Sequence, residues 1–351
     1  MHLWQTLYNR VQAGGPAIRA LAPMADVTDR AYRLHVLNES GYEQVDVLWS
    51  EFVAVDGLAS RGRFQLLRDL QYSSIEQPKL VAQIFGANPE KFREVVPMIV
   101  DLGFTAIDIN MGCPDKTINK QGAGACLIQT PELATSCIAA CKQAAGNVPV
   151  SVKTRIGWSS DESDTWIPAL LDAGIDALSI HARTRRELSD CEPHWDVLSN
   201  IVDLAKPYKI PVLANGGILT TQAGNEVCKQ TGAHGYMIGK ASFGNPYFFK
   251  LGGDMPDRRT RLISALEHLK LYYAWLYAGT GPDYITKDFT FGEQLIPVPE
   301  NVHGKSLELM KKNFRCYIAD WPGSAELRHE IMLEKTYSGL VAILEREIGR
   351  I

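Results

Sequence analysis

The stretch LVAQIFGANPEKFREVVPMIVDLGFTAIDIN, residues 80–110, contains the pattern that decides the fold. Its two apolar runs, Leu80–Phe85 and 106–110, are typical of short buried strands, and a segment of helical periodicity separates them. Asn88-Pro89 is the start signal of that helix, and Gly103 is the glycine expected just past its end. The stretch therefore predicts a strand, a helix and a second strand in succession.

The same alternation extends through roughly the first 250 residues. Strands are predicted at 18–24, 45–51, 80–85, 106–110, 148–155, 177–182, 211–215 and 235–238. Helices are predicted between most of them, at 28–38, 89–102, 131–144, 161–173, 195–205 and 220–231. Eight strands alternating with helices indicate an α/β fold, a closed (β/α)8 TIM barrel. A doubly wound open sheet is the alternative, but no G-x-G-x-x-G follows the first strand.

The composition is that of an ordinary globular protein, with 46 % hydrophobic and 22 % charged residues among 351. No apolar stretch reaches the roughly 18 residues that a membrane helix needs, and the first residues lack a secretory pattern. Seven cysteines at no framework spacing suggest free thiols, so we expect a cytoplasmic location and no membrane contact. Cys137 and Cys141 have no second pair, so we expect no metal site.

A change of composition at Gly252-Gly253-Asp254-Met255-Pro256 predicts a domain boundary. Residues 1–252 would form the barrel, and residues 253–351 a small all-helical domain. The helical patterns lie at 257–277, 305–319 and 324–348. A polar connection at 278–304 is the expected place for a loop.

Polar residues and glycines follow most of the predicted strands, at the end of a barrel where active sites are built. They are Gln83, Asn110, Cys113, Lys153, Arg155, His181, Arg183, Asn215, Gly216, Gly217, Gly239 and Lys240. Taken singly, Lys153 could be an edge-strand lysine and His181 a core histidine. The glycines after the last two strands are at the positions where barrels commonly hold a phosphate, and Lys240 adds a countercharge. A phosphate-bearing ligand is therefore expected.

Cys113 ends the sequence Asn110-Met-Gly-Cys at the end of the fourth predicted strand. Gly112 permits a sharp bend, and Pro114 disfavours helical backbone at Cys113, so the thiol should project from an extended segment. A thiol with an ordinary pKa near 8.5 is mostly protonated at neutral pH and can act as nucleophile or proton donor. The alternative is a small apolar cysteine that fills a gap.

Seven short motifs follow one another along the barrel region. They are Ala22-Pro23-Met24-Ala-Asp-Val27-Thr28-Asp29, Gln83-Ile-Phe-Gly86, Asn110-Met-Gly-Cys113-Pro114, Val152-Lys153-Thr-Arg155-Ile-Gly157-Trp158, His181-Ala-Arg183-Thr184-Arg185, Asn215-Gly216-Gly217-Ile218 and Met237-Ile-Gly239-Lys240. In this order they resemble the tRNA-dihydrouridine synthases, over residues 18 to 246. The helical tail is similar in size and type to the tRNA-binding domain of that family. The resemblance implies an FMN-containing barrel that reduces the C5–C6 bond of chosen uridines in tRNA, with NADPH as electron source.

The resemblance also implies cofactor contacts, residue by residue. Pro23 and Met24 would lie against the flavin ring, and Gln83 and Lys153 would hydrogen-bond its polar edge. His181 would face the flavin or its phosphate end. The phosphate would be surrounded by Asn215, Gly217, Gly239 and Lys240. The family usually has arginine where this chain has Lys240, and lysine keeps the charge without the bidentate fork.

For the substrate, the resemblance implies that hydride passes from FMN to C6 and that Cys113 donates the proton to C5. Asn110 would help to hold the uracil. From residue 257 onward 13 Lys and Arg face 13 Asp and Glu, so only clustered charge can attract RNA phosphates. The expected RNA contacts are Arg155 and Arg183 on the barrel and Lys311, Lys312 and Arg315 on the tail. We infer no obligate protein partner.

Other functions remain open from the sequence. A flavin barrel acting on a free pyrimidine such as dihydroorotate would also use an active-site thiol, but it leaves the helical tail without a purpose. A non-catalytic RNA-binding protein is the alternative of another class, and Cys113, Lys153 and His181 argue against it. A phosphosugar-metabolising barrel fits the phosphate site but leaves Cys113 unexplained. The sequence does not indicate which uridine would be modified.

Overall fold

The computed structural model describes residues 1–276, 289–297 and 305–351. The predicted connection at 278–304 lies outside the described residues except for 289–297. The strands are β1 (Ile18–Leu21), β2 (Val47–Trp49), β3 (Val53–Ala54), β4 (Leu80–Phe85), β5 (Ala106–Met111), β6 (Val150–Arg155), β7 (Ala177–His181), β8 (Val212–Asn215), β9 (Gly235–Ile238), β10 (Phe289–Phe291) and β11 (Gln294–Ile296).

The α-helices surround the barrel or form the carboxyl-terminal region. They are α1 (Leu3–Gln12), α2 (Arg30–Ser40), α3 (Val55–Leu58), α4 (Arg63–Leu67), α5 (Pro89–Asp101), α6 (Lys116–Lys120), α7 (Pro131–Ala145), α8 (Ser163–Asp172), α9 (Trp195–Ala205), α10 (Thr221–Thr231), α11 (Phe248–Leu251), α12 (Arg258–Leu276), α13 (Leu307–Tyr317), α14 (Ser324–Leu333) and α15 (Tyr337–Gly349). Among the described residues, none of these helices has the length and apolar character needed to cross a membrane.

Eight parallel strands close into a ring in the order β1, β2, β4, β5, β6, β7, β8 and β9. The ring closes where β1 pairs with β9, with Ile18 opposite Gly235. A Cβ atom on Gly235 would lie 2.4 Å from the Ile18 carbonyl oxygen, so glycine permits this close approach. The closure confirms the predicted TIM barrel and excludes the open sheet. The short β3 pairs only with the carboxyl end of β4, with Val53 opposite Ile84.

The barrel interior changes from apolar to polar along its axis. Successive side chains of a strand point to opposite faces, so Ala106, Asp108 and Asn110 of β5 all face inward. Ala106 belongs to an apolar layer together with Trp49, which stands opposite Val81 near the amino end of β4. Trp4 of α1, which the sequence patterns did not predict, packs into this layer with its ring centroid 5.7 Å from that of Trp49. The floor of the barrel is therefore closed, and its polar groups lie at the opposite end.

The carboxyl-terminal helices share an apolar cluster of their own, which includes Leu269, Phe314, Ile331 and Leu344. They also contact the barrel, because α12 packs along α2. The single helix predicted at 324–348 is wrong in one detail, since α14 and α15 are separate helices. Glu334 Oε1 accepts the N–H groups of Lys335 and Thr336 at 2.8 and 2.7 Å, which ends α14 and turns the chain.

Candidate active site

A cavity of about 410 Å³ opens at the carboxyl ends of β1, β6, β7, β8 and β9. Its volume lies in the range of small-molecule sites. Eight residues predicted as cofactor contacts line it, namely Pro23, Met24, Lys153, His181, Asn215, Gly217, Gly239 and Lys240. Arg183, predicted as a substrate contact, lines it too. Gln83 does not; it is fully buried below the strand ends. The structure thus brings together side chains that are far apart in sequence.

The turn after β8 brings backbone next to the cavity. Gly216 and Gly217 have φ values of +105° and +66°, in the left-handed region that favours glycine. A Cβ on Gly216 would lie 2.7 Å from the ring of His181, and one on Gly217 would lie 2.8 Å from Pro193. Side chains are therefore excluded from this turn, which leaves peptide groups and the nearby cations Arg183 and Lys240 to meet a ligand.

His181 is a neutral imidazole of defined tautomer. Arg183 Nη1 lies 3.1 Å from His181 Nε2, and because guanidinium only donates, Nε2 must accept and the proton resides on Nδ1. Burial, followed by the charges of Arg155 and Lys153, holds the pKa of His181 well below its usual 6.5. The ring therefore offers one N–H donor at neutral pH and no charge.

Lys153 is a half-buried cation at the cavity wall. Burial and the charge of Arg155 lower its pKa to about 8, while Asp108 acts in the opposite direction. The lysine is therefore mostly protonated at pH 7. It stands opposite Asn110 in the register of β5 and β6, so the cavity wall adjoins the strand that leads to Cys113.

The backbone around Cys113 is held on both sides. Its N–H donates to Asn110 Oδ1 at 2.9 Å, and its carbonyl accepts from Asn119 Nδ2 at 2.9 Å and from the Ala125 N–H at 3.1 Å. Burial raises the pKa of the Cys113 thiol above its usual value. Cys113 is partly buried, and its thiol is free, as are the thiols of the other six cysteines. The residue is a protonated sulfhydryl on a fixed loop, beside the cavity rather than in its wall.

Two arginines fasten this loop to its neighbour. Arg155 Nε donates to the Gly112 carbonyl at 2.9 Å, and Arg155 Nη1 donates to those of Thr184 and Leu188 at 2.9 and 3.0 Å. Arg185 Nη2 donates to the Pro114 carbonyl at 3.3 Å. The structure thus places Arg155 in a buried, loop-holding position and not at an RNA-facing surface, because its guanidinium already binds three carbonyls.

A buried polar chain below the cavity was not predicted beyond Gln83 and Asn110. Asp108 accepts from Gln83 Nε2 at 2.7 Å and from Ser151 Oγ at 2.6 Å. Gln83 Oε1 in turn accepts from Asn110 Nδ2 at 3.1 Å. An acid between two isoleucines of a predicted strand, two residues before Asn110, is the signal that could have revealed Asp108.

Lys305 joins the carboxyl-terminal region to the mouth of the barrel. Its Nζ lies 2.6 Å from Glu51 Oε2 and 3.3 Å from Asp69 Oδ1. Glu51 Oε1 also accepts the N–H of Asp26, two residues after Met24. Burial and the neighbouring acids Asp69 and Asp29 raise the pKa of Glu51 to about 7, against the effect of Lys305. Partners 254 residues apart in sequence could not be matched from the sequence.

The loop after β7 contains one mixed donor set, Glu187, Cys191 and His194, whose ligand atoms lie within 4.8 Å of one another. These groups could hold a metal ion. However, His194 Nε2 and Glu187 Oε1 form a hydrogen bond at 2.9 Å, which accounts for the pair without an ion. We therefore assign no metal here.

The predicted basic cluster of α13 divides into buried and exposed members. Lys311 is 1 % exposed, and its Nζ donates to Glu308 Oε1 at 2.8 Å and to the Met332 carbonyl at 3.2 Å. It is therefore not brought to the surface. Lys312 and Arg315 are exposed, and Lys312 Nζ lies 3.9 Å from Asp26 Oδ2, next to the barrel mouth.

Comparisons with known proteins indicate the family of this chain. The family described as "Dihydrouridine synthase (Dus)" matches residues 20–276. The sequence is 36 % identical over 316 residues to a probable tRNA-dihydrouridine synthase of Staphylococcus epidermidis, covering 89 % of this chain and 88 % of that protein. It is 33 % identical over 329 residues to a probable tRNA-dihydrouridine synthase 2 of Bacillus subtilis, covering 93 % and 92 %.

Among solved structures, morphinone reductase in complex with tetrahydroNAD is similar with a TM-score of 0.48 and 11 % sequence identity, covering 68 % of this chain and 88 % of that chain. The family match covers most of the chain, and the two relatives extend over about nine tenths of it. Both findings confirm the resemblance seen in the motifs. This chain belongs to the dihydrouridine synthase family.

Proposed function

We propose that this protein reduces the C5–C6 bond of specific uridines in tRNA to 5,6-dihydrouridine, with FMN as cofactor and NADPH as electron source. The observation that carries the proposal is the pairing of two features at one end of the barrel. A cation-lined cavity stands beside a fixed loop whose thiol is protonated at neutral pH. The relatives' names, which refer to tRNA, and the basic surface near the mouth support RNA as the substrate class.

The residues present fit FMN. Ala22, Pro23 and Met24 give the cavity an apolar wall for a planar ring, while Arg183 and Lys240 offer charge for a phosphate. A Cβ on Gly239 would lie 3.5 Å from Met24 Sδ and 3.7 Å from Ala22 Cβ, so glycine keeps the space between these walls open. Asn215, Gly217 and Gly239 would surround the phosphate, and His181 would donate through Nδ1.

When bound, FMN would supply a hydride to C6 of the uracil. Cys113 holds the proton that C5 needs, because its raised pKa keeps the thiol protonated at neutral pH. Lys153 would supply positive charge near a ring that becomes anionic on reduction, as proteins do to tune a flavin. Asn110 uses Oδ1 and one Nδ2 hydrogen within the protein, and its other Nδ2 hydrogen, which has no partner in the described part of the chain, would bind a uracil carbonyl.

The RNA must present an extruded base, since a stacked base cannot reach the flavin. Backbone contacts then supply the binding energy. The exposed Lys312 and Arg315 on α13 would bind phosphates, and the proximity of Lys312 to Asp26 puts this surface beside the barrel mouth. We propose residues 253–351 as the tRNA-binding domain. Gln83 would act from below the ring through Asn110, and the buried Arg155 through the loops it holds.

The test is a turnover assay with unmodified tRNA. The purified protein, supplied with FMN and NADPH, should produce dihydrouridine, detected as nucleosides heavier by two hydrogens. Free uridine and free orotate are the matched controls and should remain unchanged. Conversion of the free pyrimidine but not of tRNA would replace the proposal with a free-pyrimidine reductase. Conversion of neither, by protein that binds FMN, would refute it.

A further inference from the structure

We infer that Asp108 is a positioning residue that sets the orientation of the Gln83 and Asn110 amides and thereby the backbone of Cys113. For its catalytic consequence this inference rests on the proposed function; its geometric part does not. Asp108 lies in the middle of β5 and touches neither the cavity nor the loop. Its hydrogen bonds would reach the loop through the two amides, while its charge raises the pKa of Lys153.

The first step is the polarity at Asp108. An ionised carboxylate only accepts hydrogen bonds. Asp108 is fully buried, and its two oxygens face Gln83 Nε2 at 2.7 Å and Ser151 Oγ at 2.6 Å. The NH₂ group of Gln83 must therefore point toward Asp108. The Gln83 oxygen is thereby directed to the other side, toward Asn110.

The second step transfers this polarity to the loop. Gln83 Oε1 accepts from Asn110 Nδ2 at 3.1 Å, which leaves Asn110 Oδ1 facing the backbone N–H groups of Gly112 and Cys113, at 3.1 and 2.9 Å. Both ends of this series of hydrogen bonds require the same orientation of the two amides. The Asp108 carboxylate accepts at one end, the N–H groups of Gly112 and Cys113 donate at the other, and each amide between them is thereby fixed.

Burial makes this series of hydrogen bonds sensitive to a single substitution. Gln83 and Asp108 are fully buried and Asn110 is 6 % exposed, so little solvent is at hand to replace a lost partner. With an amide at position 108, Gln83 could turn over and present its NH₂ group to Asn110. If Asn110 turned in response, its NH₂ group would meet the Cys113 N–H, and two donors repel each other.

A purely structural role for Asp108 is the competing explanation. It predicts that any loss of activity follows a loss of folded protein. A positioning role predicts a folded, flavin-containing protein in which Cys113 alone behaves differently. Thiol reactivity separates the two, and it needs neither tRNA nor turnover.

The experiment measures alkylation of Cys113 by iodoacetamide in the purified holoenzyme, by peptide mass spectrometry, with Cys316 as internal reference. Asp108→Asn should raise the Cys113 rate about fivefold or more, because an amide at position 108 can donate as well as accept. Gln83 is then no longer held in one orientation, and the loop opens more often. Ser151→Ala, which removes another donor to Asp108 but keeps the acceptor for Gln83, is the matched control. It should leave the rate at the wild-type value.

A double variant tests the polarity itself. In Asp108→Asn with Gln83→Glu, the introduced amide donates to the introduced carboxylate, whose other oxygen again accepts from Asn110. The Cys113 rate should return toward wild type. Gln83→Met removes the acceptor of Asn110 Nδ2 and so interrupts the same series of hydrogen bonds. It replaces Asp108→Asn as the test if that variant does not yield folded protein. The inference would be overturned if Cys113 were alkylated at the wild-type rate in both Asp108→Asn and Gln83→Met, or if the double variant did not restore that rate.

Turnover adds the catalytic consequence. In Asp108→Asn the kcat for uridine reduction should fall about tenfold or more, while the KM for tRNA changes by less than about twofold. If neither the wild type nor any variant forms dihydrouridine, the proposed function fails, and the alkylation rates still test whether Asp108 positions the Cys113 loop. If wild type is active and Asp108→Asn keeps its kcat, the inference fails alone.

Discussion

The side-chain oxygen of Asn110 accepts the backbone N–H of Cys113 at 2.9 Å, so the last inward residue of β5 orients the loop that follows. Asn110 stands opposite Lys153 in the strand register. The pairing of β5 with β6 therefore connects the loop of the proton-bearing thiol with the strand of the cation at the cavity wall.

Replacing the thiol should stop proton delivery without emptying the cavity. Cys113→Ala removes the general acid, whose contribution is typically about 10² to 10⁴-fold in rate. We expect a fall of that size in dihydrouridine formation, with wild-type flavin content, because Cys113 does not line the cavity. Flavin absorbance and nucleoside mass spectrometry measure the two effects. Turnover close to wild type would remove Cys113 from the mechanism.

The loss of the Lys153 charge should slow flavin reduction at alkaline pH. Burial lowers its pKa from 10.5 to about 8, so the cation is present below pH 8 and is lost as the pH rises through that value. We expect the rate of flavin reduction by NADPH to fall between pH 7 and about 9.5 in the wild type. Lys153→Met should be slower at pH 7 and lack this decline. An identical decline in both proteins would assign the titration to another group.

The charge at position 240 should control FMN affinity. Lys240→Glu puts a carboxylate beside the phosphate and should weaken FMN binding by about tenfold or more. Lys240→Arg, which restores the residue usual in the family, should bind FMN at least as tightly as wild type because its fork can bind two phosphate oxygens. Fluorescence titration of the flavin-free protein measures both. Equal affinity in all three proteins would place the phosphate elsewhere.

The buried acid at position 108 should lower stability at neutral pH. Burial raises the pKa of Asp108 from 3.8 to about 6, so the folded protein binds this proton more tightly than the unfolded chain does. The resulting stabilisation is complete below pH 3.8 and disappears as the pH rises to about 6. Above that, ionised Asp108 costs on the order of 3 kcal/mol relative to its neutral form.

Asp108→Asn carries no such charge. Its stability relative to wild type should therefore increase from pH 5 to pH 8, even though its activity falls. Urea unfolding of wild type and Asp108→Asn at the two pH values measures this difference. A relative stability that decreases toward pH 8 would contradict the assignment.

The exposed part of the α13 cluster should govern RNA binding. Lys312→Glu with Arg315→Glu should weaken tRNA binding and reduce its salt dependence by roughly one to two units of slope, because fewer counterions are released. The exposed Lys229, in the last turn of α10 and so at the opposite end of the barrel, provides the control Lys229→Glu. An unchanged slope in the double variant would exclude this surface.

Periodicity and glycine signals were sufficient for the barrel, because its strands are short runs buried on both faces and its helices bury an apolar face. They did not reveal α1, whose Trp4 fills the barrel floor, or the break between α14 and α15. The predicted tail helix continues in periodicity through that break, which depends on local hydrogen bonds of Glu334. Such bonds leave no periodic trace.

In the site, position at strand ends was enough to predict six of the eight cavity residues, and the family resemblance supplied Pro23 and Met24. It could not distinguish a side chain that faces a ligand from one that binds backbone. Arg155 and Lys311 were expected at the RNA, but each already has partners within the protein. Asp108 and Lys305 were not predicted, because the partners that give them a role in the site are distant in sequence.

The most direct test of the central claim is a single turnover without air. The enzyme with its flavin fully reduced is mixed with unmodified tRNA, and dihydrouridine is counted per flavin as the flavin reoxidises. We predict close to one dihydrouridine per flavin in the wild type, and reoxidation slowed by about 10² to 10⁴-fold in Cys113→Ala. Flavin that reoxidises without forming dihydrouridine, or at equal rates in both proteins, would contradict the account.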